Sequence, residues 1–338
     1  MQPTGIDSFL PSSARGIENF SRYSALAQNW QFSVGVVEGL RAGLAGAFSD
    51  NVECVALAGS FGRLEGSKSS DADYVMVVRD ADAATVNDDL DTISRAISSL
   101  GISPPNKSGV FAKPRTRAEL IESVGRPGEL SDVLGKRLLL LLESRPVYGD
   151  DLYLDLLDKV FSRYSAYHEG EPAKEFAFLL NDLIRYFRYI CVNYESNVWR
   201  EHEKWALRNI KLRHSRVLMY AGLLFVLGEA SKYSDERKRK TVWEALPFTP
   251  LERLARVYTE NGDKSFFRVV GLYNVFLAHL SKDEVREKLQ PVEYESRYSV
   301  PEFAELKANS DAFVSELLRF VFCRRGQWSE RFFEYLIF

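Results

Sequence analysis

The sequence has few cysteines, and they lie far apart. Three occur in 338 residues, at Cys54, Cys191 and Cys323. Their wide separation excludes the close spacing of structural zinc sites, and their odd number excludes a framework in which every cysteine pairs within the chain. The sequence therefore predicts a protein of a reducing compartment, and we expect a cytoplasmic location.

Excess charge and long apolar runs are also lacking. The formal net charge is only −3, which argues against a general nucleic-acid coat, although local basic patches remain possible. No apolar run approaches membrane length, and the first residues, MQPTGIDSFLPSSARG, lack a signal-peptide pattern, so we expect no membrane partner. The chain is 46% hydrophobic and 27% charged, which is ordinary for a globular protein with room for two domains.

The strongest local signal lies in residues 52–78. A small apolar run at 55–58 predicts one strand, and the β-branched and aromatic run at 74–78 predicts a second. Gly59 and Ser60 break the first strand. The pattern indicates two strands, with a glycine-bearing loop at the end of one and two carboxylates at the start of the other.

Those carboxylates are Asp71 and Asp73. Residues at i and i+2 of a strand point to the same face, so both side chains can reach one divalent ion. Magnesium prefers hard carboxylate oxygens, and a Gly-Ser turn offers N–H groups and a hydroxyl to phosphate oxygens. Phosphoryl and nucleotidyl transfer need mainly this positioning and charge neutralisation.

Taken together, these residues resemble the signature of the DNA polymerase β-like nucleotidyltransferase superfamily. The matching elements are Gly59-Ser60, Gly62-Arg63, Glu65 and Ser70-Asp71-x-Asp73. Their order and spacing are most similar to the branch that contains the uridylyltransferase of nitrogen signalling. The minimal nucleotidyltransferases of toxin–antitoxin pairs share the same interval.

The resemblance implies a fold and a reaction. The fold would be α+β, a small mixed β-sheet nucleotidyltransferase domain with flanking helices followed by an α-helical bundle. The reaction would move a nucleoside monophosphate from an NTP, with ATP expected, to a hydroxyl of a protein, an RNA or a small molecule, releasing pyrophosphate. Mg²⁺ would be the cofactor, with Mn²⁺ as a substitute. The alternative to a transferase is a degenerate module that binds nucleotide without turnover.

The resemblance also assigns residues. Asp71 and Asp73 would be catalytic and would hold the metal, and Glu65 would brace the loop. The residues that it assigns to nucleotide binding are Gly59, Ser60, Arg63 and Ser70. Lys211 is added to this set from the basic face of a later helix, and not from the resemblance. Arg63 has two open roles, since it either faces the phosphates or structures the loop.

One departure concerns a third carboxylate, which the superfamily usually carries on a later strand. The strand expected at residues 110–113 has none. Glu119, Glu122 and Asp132 are possible substitutes, but nothing in their spacing selects one. Two acids could hold a single metal and leave base chemistry to the acceptor or to water.

Helical periodicity dominates the rest of the sequence. We expect an N-terminal segment at 1–29, the nucleotidyltransferase domain at 30–165 and the helical domain at 170–338. The predicted elements are helices at 32–48, 82–100, 120–142, 251–258, 266–280 and 303–322, a turn at 145–150 and an exposed connector at 232–240. The aromatic stretch 332–338 would be buried or would form a homodimer contact.

A basic helix in the second half has three interpretations. Lys204, Arg208 and Lys211 share one face, which either grips a triphosphate or anionic acceptor or is simply solvated. In addition, Arg208-Asn209 followed by His214 resembles the active-site pattern of HEPN ribonucleases. Under that alternative, Arg208 and His214 would act on an RNA phosphate and its 2′-hydroxyl.

Overall fold

Helices and one small sheet make up the described part of the chain, so the fold is mixed α/β. The computed structural model describes residues 23–105, 113–125, 128–166, 176–200 and 205–337. Within these residues the contacts define two compact units. The first comprises residues 29–182, and the second comprises residues 23–28 and 183–337, so the division falls inside two helices, at 28/29 and at 182/183.

The first unit contains a four-stranded mixed sheet. Its strands are β1 (Val52–Leu57), β2 (Tyr74–Val78), β3 (Arg115–Thr116) and β4 (Arg145–Tyr148). Their order is β3-β2-β1-β4, with β1 antiparallel to both β2 and β4 and β2 parallel to β3. Strands β1 and β2 are central and almost entirely buried, which explains why their residues are apolar, apart from the half-buried Glu53 of β1.

Seven helices belong wholly or partly to this unit within the described residues. They are α1 (Ser24–Leu44), α2 (Gly59–Gly62), α3 (Val86–Ser99), α4 (Arg117–Glu122), α5 (Ser131–Glu143), α6 (Asp150–Ala166) and α7 (Ala177–Arg200). The five consecutive leucines at 138–142 are all buried in α5, as expected of a helix surrounded by core.

Two expectations for this unit are wrong. The helix predicted over 120–142 is two helices, α4 and α5, because the chain turns between them at Gly125 and Gly128, whose φ angles are 69° and 83°. The turn predicted at 145–150 begins instead as β4, since residues 145–148 pair with the free edge of β1. The expected strand at 110–113 falls mostly outside the described residues.

Helix α1 also ends earlier than its apolar pattern predicts. The periodicity continues to Phe48, but the helix stops at Leu44 and Gly46 follows with a φ of 67°. Phe48 lies beyond the helix and packs edge-on against Tyr148, with 4.9 Å between ring centroids. An apolar residue after the helix thus continued the periodic pattern without belonging to the helix.

The second unit is helical throughout its described residues. After the end of α7 it contains α8 (Trp205–Lys211), a π-helical turn (Leu212–Arg216), α9 (Val217–Ala230), α10 (Glu236–Ala245), α11 (Pro250–Glu260), α12 (Phe266–Leu280), α13 (Asp283–Leu289), a 3₁₀ turn (Arg297–Ser299), α14 (Pro301–Cys323) and α15 (Glu330–Ile337). The helices predicted at 251–258, 266–280 and 303–322 are confirmed. The connector predicted at 232–240 is partly helical, because Asp235 caps α10 by accepting a hydrogen bond from the backbone N–H of Arg237.

Stacked aromatic rings form much of the core of the second unit. Phe225, Tyr258 and Phe320 contact one another, and Trp328 packs on Phe225 and Phe320. Such pairs add to the free energy gained by burying the ring area. None of the helices in the described ranges is long and apolar enough to cross a membrane.

Gly62 provides a test of the packing in the first unit. A Cβ on Gly62 would lie 1.9 Å from the carbonyl oxygen of Glu143 and 3.0 Å from that of Leu57. Both atoms belong to backbone, so Gly62→Ala should lower the free energy of unfolding by at least about 2 kcal/mol. Gly35→Ala is the matched control, because nothing lies within 4 Å of its Cβ position in α1. Gly35→Ala should leave the free energy of unfolding equal to that of wild type or raise it by up to about 1 kcal/mol. Urea denaturation measures both variants, and equal losses in the two would contradict this packing.

Candidate functional site

The candidate site begins where β1 ends and β2 starts. The backbone N–H of Ala58 donates a hydrogen bond to the carbonyl oxygen of Asp73, with an N–O distance of 2.8 Å. This bond extends the antiparallel β1–β2 pairing by one residue beyond Leu57 and Tyr74. It therefore places the turn that follows β1 directly beside the residue that precedes β2.

Gly59 and Asp73 are in direct contact at this point. Gly59 has a φ of 62°, a left-handed conformation that side chains rarely adopt. A Cβ on Gly59 would lie 2.8 Å from Oδ2 of Asp73. Only glycine both permits this backbone turn and leaves space for the carboxylate, which is the proximity that the sequence predicted.

Asp71 and Asp73 lie just before β2 and flank a fully buried residue, Ala72. The N–H of Ala72 donates to the carbonyl oxygen of Ser103 over 2.9 Å, and Asp71 bridges to the same residue. Because neighbouring side chains of extended backbone alternate, both carboxylates lie on the face opposite Ala72. Asp71 is exposed and Asp73 is half-buried.

This pair of carboxylates suits one hard divalent cation. Two oxygen donors on one face match the way that Mg²⁺ is usually bound, with water and phosphate oxygens completing its coordination. In the part of the chain that the structure describes, no group of three or more His, Cys, Asp or Glu side chains is placed to hold a metal. A cation bound here would therefore need further ligands from outside the protein, such as water and phosphate oxygens.

Two serines in the loop between the strands have different surroundings. Ser60 is half-buried in α2, whose first N–H groups have no acceptor within the helix. Ser70 is buried, and its Oγ accepts a hydrogen bond from the N–H of Ser67 over 3.1 Å. The N–H of Ser70 donates in return to the carbonyl oxygen of Ser67, over 2.9 Å. Ser60 is thus accessible to a ligand, whereas Ser70 fixes the turn that leads into Asp71.

Arg63 is buried between two carboxylates. Its Nε lies 2.7 Å from Oε2 of Glu65, and its Nη1 lies 2.5 Å from Oε2 of Glu143, the last residue of α5. All three side chains are almost fully buried. Of the two roles left open by the sequence, this geometry favours structuring the loop, with Glu65 bracing it as expected. Glu143 was missed, although a charge directly after a buried leucine run is a signal for a buried ion pair.

The substitutes for a third carboxylate are engaged elsewhere. Arg115 binds Glu119 over 2.8 Å and also pairs with Asp132. Despite the opposing effect of burial, hydrogen bonds from Thr116 and Arg115 hold the pKa of Glu119 below its usual value, and Arg115 lowers the pKa of Asp132 in the same way. Both acids are therefore ionised at neutral pH.

Their location also separates them from the aspartates. Arg115 stands opposite Val77 in the parallel β2–β3 pairing. Val77 is four residues along β2 from Asp73, which corresponds to about 13 Å of strand. Glu122 is exposed at the end of α4, the helix that follows β3. Neither Glu119 nor Asp132 therefore lies at the aspartate end of β2.

Lys211 belongs to the second unit, whereas the other residues predicted to bind nucleotide or metal belong to the first. It is half-buried at the end of α8, on the same helix as Arg208. Lys204 lies outside the described residues. The assignment of Lys211 to a bound phosphate stays a prediction.

His214 is part of the core of the second unit. Its Nδ1 lies 2.9 Å from the carbonyl oxygen of Ile210, which can only accept, so Nδ1 carries the proton. Its Nε2 lies 2.9 Å from Nδ2 of Asn309 and accepts from that amide. The ring stacks on Phe276, with 4.3 Å between centroids. Both nitrogens are engaged and the side chain is fully buried, which argues against the ribonuclease alternative.

Comparison with known proteins gives no further assignment. The chain matches no model of a known protein family and no curated protein.

The buried ion pairs of Arg63 predict a large effect on stability. Arg63→Ala would remove the buried cation that both Glu65 and Glu143 contact, which should cost roughly 3–5 kcal/mol of unfolding free energy. Lys159→Ala is the control, since Lys159 pairs with Asp155 at an exposed position and should cost under about 1 kcal/mol. Chemical denaturation measures both. Similar losses in the two variants would show that the Arg63 cluster does not hold the loop.

Burial of His214 predicts a dependence of stability on pH. Burial lowers the pKa of His214 to about 4 from its ordinary value of 6.5. The unfolded chain therefore takes up a proton below pH 6.5 while the folded chain does not. This one group should lower the free energy of unfolding by about 2 kcal/mol between pH 7 and pH 5.

The measurement compares urea denaturation of wild type and His214→Gln at both pH values. The drop between pH 7 and pH 5 should be smaller in the variant by about 2 kcal/mol, whatever its absolute stability. An identical pH dependence in the two proteins would show that His214 is accessible to protons in the folded state.

Proposed function

We propose that the protein is a nucleotidyltransferase that moves a nucleoside monophosphate from an NTP, with ATP as the first candidate, to an acceptor hydroxyl. The observation that carries this proposal is the contact between the Gly59 turn and the carboxylate of Asp73. A left-handed glycine and a half-buried acid at one end of a strand pair bring phosphate-binding N–H groups beside a metal-binding oxygen. A purely structural turn has no need of that combination.

In this proposal each part of the site has one task. Asp71 and Asp73 hold a divalent cation through their carboxylate oxygens. Gly59 and Ser60 bind phosphate oxygens through backbone N–H groups and the serine hydroxyl. Arg63 and Ser70 hold the loop in its conformation through their contacts with Glu65, Glu143 and Ser67. The bound Mg²⁺, or Mn²⁺ in its place, would neutralise charge on the triphosphate.

The proposed reaction is a displacement at the α-phosphorus. The acceptor oxygen forms a bond to that phosphorus, and the bond from the phosphorus to the oxygen that bridges to the β-phosphate breaks. Pyrophosphate leaves with the electron pair of the broken bond. The proton of the acceptor hydroxyl passes to water or to a carboxylate of the site. The acceptor belongs to a protein, an RNA or a small molecule.

A second candidate is a module that binds NTP without turnover. The observation that favours it is the position of Glu119 and Asp132. Both pair with Arg115, which lies toward the end of β2 that is farther from Asp73. With two carboxylates only, metal and triphosphate could bind while the acceptor hydroxyl lacks a base. The two candidates share the same binding residues and differ in product formation.

The experiment separates these candidates. Purified protein is incubated with each α-³²P-labelled NTP, Mg²⁺ and a cell lysate as acceptor pool, and NTP binding is measured in parallel. Wild type should transfer label, and Asp73→Asn should reduce transfer by roughly a hundredfold or more, because the substitution preserves shape but removes the charge. Asp88→Asn, at an exposed position of α3, is the matched control and should retain full activity.

Each outcome has a distinct meaning. Transfer that is lost in Asp73→Asn and kept in Asp88→Asn would support the transferase and identify its base and acceptor class. Metal-dependent NTP binding without transfer would support the binding module. Full transfer by Asp73→Asn would contradict the assignment of this site.

A further inference from the structure

Helix α14 leaves one long face exposed, and two large apolar side chains lie on it. Phe313 and Phe320 point into the core, whereas Leu318 is 49% exposed and Phe322 is 72% exposed. Leu318 and Phe322 are four residues apart and are therefore neighbours on the helix surface. Removing two such side chains from water is favourable, so this face is suited to an interface.

The exposed face has the spacing of a coiled-coil seam. Its positions follow one another at alternating steps of four and three residues, at Ala304, Ala308, Asp311, Ser315, Leu318 and Phe322. All but Ala304, which is half-buried, are exposed. The small side chains lie toward the N-terminal end of α14 and the large ones toward its C-terminal end.

We propose that this face binds the same face of a second copy of the chain, with the two α14 helices antiparallel about a two-fold axis. In an antiparallel pair the two ends of the seam meet. Phe322 would pack against the partner's Ala304, and Leu318 would pack against the partner's Ala308. A parallel pair would instead place large side chains on large ones and leave gaps between the alanines.

The charges beside the seam favour the same arrangement. Glu305 is 61% exposed and Arg319 is 42% exposed by side chain. Antiparallel pairing brings Glu305 of one chain near the partner's Arg319, twice by symmetry, whereas parallel pairing would not bring these two side chains together. Within its own chain Glu305 lies 3.3 Å from His279, and Arg319 lies 3.2 Å from Glu316. Glu305 is mostly exposed, so its pair with His279 can be exchanged at little cost. Arg319 also lies 3.5 Å from Asp263, and it would keep these intrachain partners while it faces Glu305 of the second copy.

The size of the face sets the strength of the expected association. One pair of helices buries less than a standard interface between stable partners. The dimer should therefore dissociate on dilution. This inference does not depend on the proposed function.

Sedimentation equilibrium of the full chain over a wide concentration range tests the proposal. The average mass should rise from 38.5 kDa toward twice that value. Phe322→Ala should weaken association by at least about tenfold, because each dimer loses two buried rings. Val192→Ala is the matched control, since Val192 is also exposed but lies on α7, and it should leave association unchanged.

A second set of variants tests the orientation. Ala308→Leu alone should weaken the dimer, because it crowds the partner's Leu318, and adding Leu318→Ala should restore association. A parallel dimer would instead be strengthened by Ala308→Leu. A monomer at all concentrations, or unchanged association of Phe322→Ala, would overturn the proposal.

Discussion

The interaction on which the candidate site depends most is the burial of Arg63 between Glu65 and Glu143. One cation lies between two carboxylates where almost no water reaches, so no member of the cluster can be removed without leaving a buried charge. Glu143 ends α5, and Glu65 lies in the loop between β1 and β2. The cluster therefore ties this loop to α5, whose residues 133–143 are all buried.

The close contact of Gly59 with Asp73 lies next to that cluster, because the backbone N–H of Arg63 donates a hydrogen bond to the carbonyl oxygen of Gly59 over 3.0 Å. The Ala58–Asp73 hydrogen bond and the left-handed turn at Gly59 set the position of one carboxylate relative to a set of N–H donors. Catalysis by positioning requires such preorganisation, because groups that must be rearranged during the reaction contribute less to rate. The same contact explains why a glycine stands at this position: a Cβ would occupy the space of the Asp73 carboxylate.

Much of this arrangement could be predicted from the sequence, because it depends on residues close together in the chain. The strands, the turn at Gly59 and the alternation of Asp71 and Asp73 are all local, and local patterns determine them. Long-range pairings could not be predicted in the same way. The contact of Arg63 with Glu143 joins residues 80 positions apart, and neither residue type indicates its partner.

Other predictions failed because several structures fit the same pattern. The apolar periodicity at 120–142 ran through two glycines whose positive φ angles break the helix. Residues 145–148 became a strand because β1 offered a free edge, which no local preference reveals. His214 lies in a basic helix, and one alternative assigned it, with Arg208, to act on an RNA phosphate and its 2′-hydroxyl. A π-helical turn and two phenylalanines bury it instead.

The central claim is that Asp71 and Asp73, with the Gly59 turn, bind a divalent cation together with a triphosphate. The most direct test is titration with Mn²⁺ followed by electron paramagnetic resonance, in the presence of a non-hydrolysable NTP analogue. This account predicts one nucleotide-dependent Mn²⁺ per chain in wild type and its loss in the Asp71→Asn/Asp73→Asn double variant. Retention of the same bound Mn²⁺ in the double variant would contradict it.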